Sequence, residues 1–226
     1  MHALSAREGY RLWAPHYAEE TAVSALEDAA VRALGVSVVG RRLLDVGCGV
    51  GRRVSQSGAS IGVAADLAPE MLRAAGAANA NIICAATDVR ALPFEDHSFD
   101  VVWCRLVIGH VRDLDAAYAE LGRVCMSDGV VIVSDLHVAA IAAGHRRTFR
   151  DDSGALHELE HHVHTLEDHT RAAHCATLRL DAHRVGVVGP IIEHFYIDAH
   201  REDAYDAQLG LPLVSVMAWR KRGEPG

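Results

Sequence analysis

The chain has 226 residues, half of them apolar and 23% charged, enough for one domain with a real core over residues 1–226. Its formal charge of -8, with the histidines counted neutral, weighs against a nucleic-acid backbone as the main partner. Five cysteines with no C-x-x-C pair argue against a disulfide framework or a thiolate zinc site, and the N-terminal run MHALSAREGYRLWAPHYAEE has no apolar stretch for a signal peptide or membrane span, so the cytoplasm is expected.

In chain order, Thr21 to Leu34 is rich in alanine and leucine with interspersed acids and reads as a helix. Arg42 to Val46 is a short apolar strand that runs into Gly47-Cys48-Gly49-Val50-Gly51. Ser55-Gln56-Ser57-Gly58 is a poor helix, so the next element is expected to be short. Ile61 to Ala65 is a second strand ending at Asp66, and Pro69 to Ala78 is a helix with proline at its start. Asn81 to Ala85, Phe99 to Cys104 and Gly129 to Ser134 are further strands, with a helix over Leu114 to Val124 before the last of them. Continuous apolar strands alternating with helices define a doubly wound α/β domain with a parallel sheet covered on both faces. Beyond it, Leu166 to Ala176 is a helix, Val185 to Val188 and Ile191 to Ile197 are strand-like, and Leu213 to Trp219 is a last strand. Trp219 is a candidate interface residue if the chain forms a homo-oligomer.

Residues 138–165 are not needed by such a core, and an insertion of this length after the fifth strand is expected to be a lid. It contains His157-Glu158-Leu159-Glu160-His161, a literal H-E-x-x-H zinc-protease signature. That motif binds zinc only on a helix, where both imidazoles share a face. Here Asp151-Asp152-Ser153-Gly154 is turn chemistry, and the flanking residues alternate with a strand period. A β-hairpin without metal is expected, followed by a helix capped by Thr165 with Asp168 as its reciprocal partner.

The glycine loop is the most informative stretch. A dinucleotide fingerprint, G-x-G-x-x-G, would need glycine at position 52, which is Arg52. An acid, Asp45, also precedes the first glycine, where it would repel a pyrophosphate but suit an ammonium. A NAD- or nucleotide-binding oxidoreductase on a related sheet is therefore the second reading.

Asp45-x-Gly47-x-Gly49-x-Gly51 resembles the first motif of the class I S-adenosylmethionine-dependent methyltransferases. Asp66, Leu67-Ala68-Pro69-Glu70-Met71-Leu72, Asp88-Val89 with Leu92-Pro93-Phe94, Ser98-Phe99-Asp100-Val101-Val102, and Arg123-Val124 through Gly129 resemble its later motifs in order. Cys-Met-Ser-Asp stands in the last of these where the family has Leu-Lys-Pro-Gly. Tyr10-x-x-Trp13-Ala14-x-x-Tyr17 is similar to the entry segment of the small-molecule members related to ubiquinone-biosynthesis enzymes. The resemblance implies a mostly parallel seven-stranded sheet, S-adenosyl-L-methionine as cofactor and a small-molecule acceptor, with no nucleic-acid or membrane partner. It also implies that Asp66 binds the ribose hydroxyls, that Leu67 and Met71 flank adenine, and that Asp88 takes the adenine amino group. Asp45, Gly47, Gly49, Val89 and Arg105 complete the expected cofactor site, and Tyr17 reaches the cofactor carboxylate. For Tyr10, Trp13 and Tyr17, packing of the N-terminal helix onto the sheet is the other reading.

An acceptor with a proton to lose needs a base, and histidine suits neutral pH. His110 and His137 follow the fourth and fifth strands, at the carboxyl ends where this fold places chemistry. Both are candidate catalytic residues.

Overall fold

The structure, a computed structural model, describes residues 3–14, 17, 20–78, 82–151 and 153–222, apart from the side chains of 74 and 76–78. Asn81 at the expected start of the third strand and Asp152 in the expected turn lie outside these.

Five strands form the parallel part of the sheet: β1 (Arg42–Val46), β2 (Ile61–Asp66), β3 (Ile83–Ala86), β4 (Phe99–Arg105) and β5 (Cys125–Leu136). Two more, β8 (Leu178–Val187) and β9 (Pro212–Lys221), add antiparallel at the β5 edge, giving the order β3-β2-β1-β4-β5-β9-β8. The chain runs outward one way from β1 and the other way from β4. A crevice therefore opens between their carboxyl ends, where such sheets bind ligands.

Strand alternation sorts the core. Leu43, Val101, Trp103, Ile132 and Val216 face helix α2 (Ala22–Arg32), while Leu44, Val102, Cys104, Val131 and Val133 face α5 (Leu114–Val124) and α7 (Leu166–Cys175). Thr21 caps α2 in a capping box with Ser24, and Thr165 and Asp168 form the box expected for α7. Helix α3 (Arg52–Ser55) is one turn, as the Ser-Gln-Ser-Gly composition requires, and α4 (Pro69–Ala78) follows β2.

Two sequence expectations fail. Ile191 to Ile197 is not a strand: Gly189-Pro190 ends the β-structure, Ile192 N–H turns back to Gly189 carbonyl (3.0 Å), and helix α8 (Glu193–Asp198) follows. Only Ile192 of that run is buried, while Ile191 and Ile197 face outward. Trp219 does not sit at a surface. It is fully buried, edge-on to Tyr118 of α5.

After β5 come α6 (Val138–Ala142) and a hairpin of two three-residue strands, β6 (Thr148–Arg150) and β7 (Leu156–Glu158), before the chain reaches α7. Asp151 makes the turn by accepting from Ser153 and Ala155 N–H. The hairpin clamps α1 (Ala6–Trp13): Trp13 stacks on Phe149 at 5.1 Å, and Leu4 bridges Leu159. The hairpin and the N-terminal helix are thus packed on one another. The chain closes with α9 (Glu202–Gln208) and β9.

Candidate functional site

Strand β1 ends in Val46, and the loop beyond it runs under two walls. Gly47 and Gly49 have φ of 71° and 58°, the left-handed region where a side chain is strained. A Cβ on Gly49 would lie 2.7 Å from the Tyr17 ring, and one on Gly47 would overlap Val107. The loop is sewn to β2 by Asp66, whose Oδ2 accepts from Gly49 N–H (2.9 Å) and Oδ1 from Ala68 N–H (2.8 Å). The Leu67 N–H also faces this carboxylate.

This loop floors a cavity of about 240 Å³. Gly47, Gly49, Asp66 and Leu67 line one side, and Tyr17, Asp88, Val89, Arg105 and His110 line the others. Asp45 lies beneath it, 1% exposed, with Oδ2 lacking any hydrogen-bond partner. Burial pushes its carboxyl up to about 6 against the pull of Arg53 and Arg105. Asp88 is held in the opposite direction by Arg90, which donates to both its oxygens (3.0 and 2.6 Å).

Arg105 is fixed from behind. Its Nε donates to Glu27 Oε1 (2.9 Å) and its Nη2 to Glu27 Oε2 (2.6 Å) and to Asp28. Arg53 of α3 joins the same carboxylates, each at 3.2 Å, and Ser134 Oγ donates to Glu27 (2.7 Å). Glu27, fully buried, is the hub of this network. In the sequence it is one of two adjacent acids on an alanine-rich helix.

A second cavity of about 300 Å³ adjoins the first and shares Tyr10, Tyr17 and Leu106 with it. Its far wall is basic, with Arg52, Arg53, His145, Arg146 and Arg147. Trp13 lines it as well as stacking on Phe149 of β6, so the N-terminal aromatics both pack and face the cavity.

Both candidate bases are placed by hydrogen bonds. Glu160 carbonyl accepts from His110 Nδ1–H (2.8 Å), which leaves Nε2 to accept from Tyr10 hydroxyl (3.1 Å). Burial, with Arg147 nearby, lowers His110 to about 3. His137 lines neither cavity. Its Nδ1 turns back to accept from Ala139 N–H (3.1 Å) as the N-cap of α6, and its ring lies near His183 of β8. Met71 also departs from expectation. It is fully buried in the core at the start of α4 and does not reach the cavity, while Leu67 does.

The H-E-x-x-H residues lack the helix that a zinc site needs: Leu156–Glu158 is strand, and residues 160–164 have no helical turn. His157 pairs with Asp151 (2.7 Å), while His161 lies 6.3 Å, ring to ring, from His110. Among the described residues no cluster of three His, Cys, Asp or Glu is arranged for a metal. No described helix is long and apolar enough to cross a membrane.

The chain resembles known proteins in part of its sequence and in its fold. Residues 44–133 match the family described as "Methyltransferase domain". The fold matches an S-adenosylmethionine-dependent methyltransferase from Mesorhizobium loti with a TM-score of 0.68 at 20% identity, over 89% of this chain and all of that one. It also matches the [4+2]-cyclase SpnF with a TM-score of 0.66 at 17% identity, over 98% and 97%. In its fold and in the motif residues assembled around its glycine loop, the chain is thus similar to S-adenosylmethionine-dependent methyltransferases. Among named enzymes, the chain is 31% identical over 178 residues to the malonyl-[acyl-carrier protein] O-methyltransferase of Herminiimonas arsenicoxydans. That match takes in 77% of this chain but 61% of the relative.

Proposed function

We propose that the protein transfers a methyl group from S-adenosylmethionine to an oxygen of a small-molecule acceptor bound in the second cavity. The observation that carries this is the junction of the two cavities at Tyr10, Tyr17 and Leu106, with the unpartnered Asp45 carboxylate below. A cofactor lying along the first cavity would meet Asp88, Val89, Asp66 and Tyr17, with Asp45 buried behind the glycine loop. The Asp66 carboxylate suits a diol, and the orphaned oxygen of Asp45 suits an ammonium.

The bound cofactor supplies an activated methyl on a positively charged sulfur, whose departure needs no protein nucleophile. The protein's work is orientation and exclusion of water. Tyr10, Tyr17 and Leu106 set the opening through which the acceptor approaches. Residues 138–165 act as the lid that shapes the acceptor chamber, with Arg146, Arg147 and Thr148 on its wall. His110 keeps Tyr10 in place rather than moving a proton, since both its ring nitrogens are engaged.

The O-methyl transfer named for the relatives supports an oxygen acceptor. Tyr10 and Tyr17, which line both cavities, support kinship with the small-molecule ubiquinone-type enzymes. A cytoplasmic setting, without nucleic-acid partners, belongs to the same proposal. A co-crystal structure with S-adenosylhomocysteine tests it. The sulfur is expected at the Tyr10–Tyr17–Leu106 junction. A sulfur facing away from the second cavity would sink the proposal.

A further inference from the structure

We propose that His145 is the general base of the second cavity and that the acceptor it serves is a phenol. This rests on that cavity being the acceptor chamber.

His145 is set by the end of α6. Ala143 caps that helix, and Gly144 takes a φ of 93°, which turns the chain left-handed. Gly144 N–H then donates to Ile141 carbonyl (3.0 Å) and His145 N–H to Ala140 carbonyl (2.9 Å), the paired bonds that close a helix end. Arg146 Nη1 donates to the His145 carbonyl (2.8 Å). The backbone is thus tied at both its N–H and its carbonyl, and the residue forms part of the wall of the second cavity. Its Nε2 is buried, with no hydrogen-bond partner among the described residues. A buried nitrogen left without a partner costs stability, which a ligand hydroxyl offsets. With the ring proton on Nδ1, Nε2 presents a lone pair.

The other groups on this wall are not suited to take a proton. Among the described residues, no aspartate or glutamate lines the cavity. Burial raises the Tyr10 and Tyr17 hydroxyls and the Cys48 thiol, so all three keep their protons at neutral pH. Arg52, Arg53, Arg146 and Arg147 are cations already. His110 lines the first cavity and has both ring nitrogens engaged, while His161 lines a separate cavity.

The same walls select the acceptor. Tyr10 and Trp13 stack at 5.8 Å, and Tyr17 stands edge-on to both (5.7 and 5.0 Å). These three rings offer a flat aromatic ligand stacking and edge contacts, while the arginines favour the anion that forms as its hydroxyl ionises. A phenol, with the acidity of a tyrosine side chain (about 10), is far closer to histidine than an alkyl alcohol is, and a general base is most effective on a matched acid. The phenol oxygen forms the bond to the methyl carbon as the carbon–sulfur bond breaks. The electron pair stays on sulfur and cancels its charge, and the hydroxyl proton passes to His145 Nε2 and from there to solvent.

The test titrates 4-nitrophenol, colourless as the phenol and yellow as the phenolate, into the full chain saturated with S-adenosylhomocysteine. At about pH 6 the free probe is mostly phenol, yet the bound probe should turn yellow because its proton has moved to His145. His145→Ala and His145→Gln should each lower the yellow fraction of bound probe at least about tenfold. Both variants should still bind the phenolate at about pH 9, with S-adenosylhomocysteine affinity kept as the check on folding. Equal colour in all three proteins would assign the ionisation to the arginines alone and overturn the proposal. A wild type that binds the probe colourless, or does not bind it, would overturn it as well. So would loss of probe binding by the variants at both pH values, which would leave His145 as wall and not base. Failure of the wild type to bind S-adenosylhomocysteine would instead overturn the methyltransferase reading beneath it.

Discussion

Replacing Asp45 with asparagine should make the ligand-free protein more stable and the cofactor site worse. The carboxyl is raised from 3.8 to about 6, chiefly by burial. A raised acid favours the folded state only while protonated. Its ionisation therefore costs stability, beginning near the unfolded value of 3.8 and reaching a plateau above about 6. At about 1.4 kcal/mol per pH unit, the plateau is roughly 3 kcal/mol. Asparagine keeps the shape and cannot ionise, so at pH 7.5 Asp45→Asn should gain up to roughly 3 kcal/mol in urea unfolding, with the gain vanishing near pH 4. It should also lose the partner for the cofactor ammonium, worth roughly 1.5–3 kcal/mol or about 10- to 150-fold in S-adenosylhomocysteine affinity. An Asp45→Asn protein that is no more stable at pH 7.5 and binds S-adenosylhomocysteine like the wild type would refute both halves of this argument.

Other changes read different parts of the site. Asp66→Ala should weaken S-adenosylhomocysteine binding by roughly 1.5–3 kcal/mol in calorimetry, because it removes the ribose acceptor and frees the Gly49 N–H from its anchor. Glu27→Ala leaves buried Arg105 with Asp28 alone and should cost about 3–5 kcal/mol in chemical denaturation; a loss below about 1 kcal/mol would mean that the network is solvated. His137→Ala should keep turnover well within the roughly 10²-fold loss that removal of a base produces, while losing about 0.5–2 kcal/mol of stability with the α6 cap. A large fall in turnover at unchanged stability would return His137 to the chemistry.

What the sequence made legible is local. The acid-glycine loop, Asp66 at the end of β2, the short α3 and the Thr165–Asp168 box depend on residues a few positions apart, and all are in place. Asp45 and Asp88 were readable as acids, but not their opposite environments, which burial and Arg90 set. The Glu27–Arg105 pair spans 78 positions and leaves no periodic trace. Nothing in the sequence marks Arg147 and His161 as neighbours of Asp135, because only the folded chain brings them against Gly109 and Asp135. His137 stood at the expected strand end, yet the helix that starts there takes its side chain as a cap. The apolar run at 191–197 misled for a related reason: hydrophobicity without alternation does not tell a strand from a short helix once Gly189-Pro190 has broken the chain.

The central claim is that the crevice at the carboxyl ends of β1, β2 and β4 holds a sulfonium cofactor rather than a dinucleotide. Parallel calorimetric titrations of the wild-type chain with S-adenosylhomocysteine and with NAD measure this most directly. One molecule of S-adenosylhomocysteine per chain, with no heat from NAD, is the predicted result; saturable NAD binding without S-adenosylhomocysteine binding would contradict it.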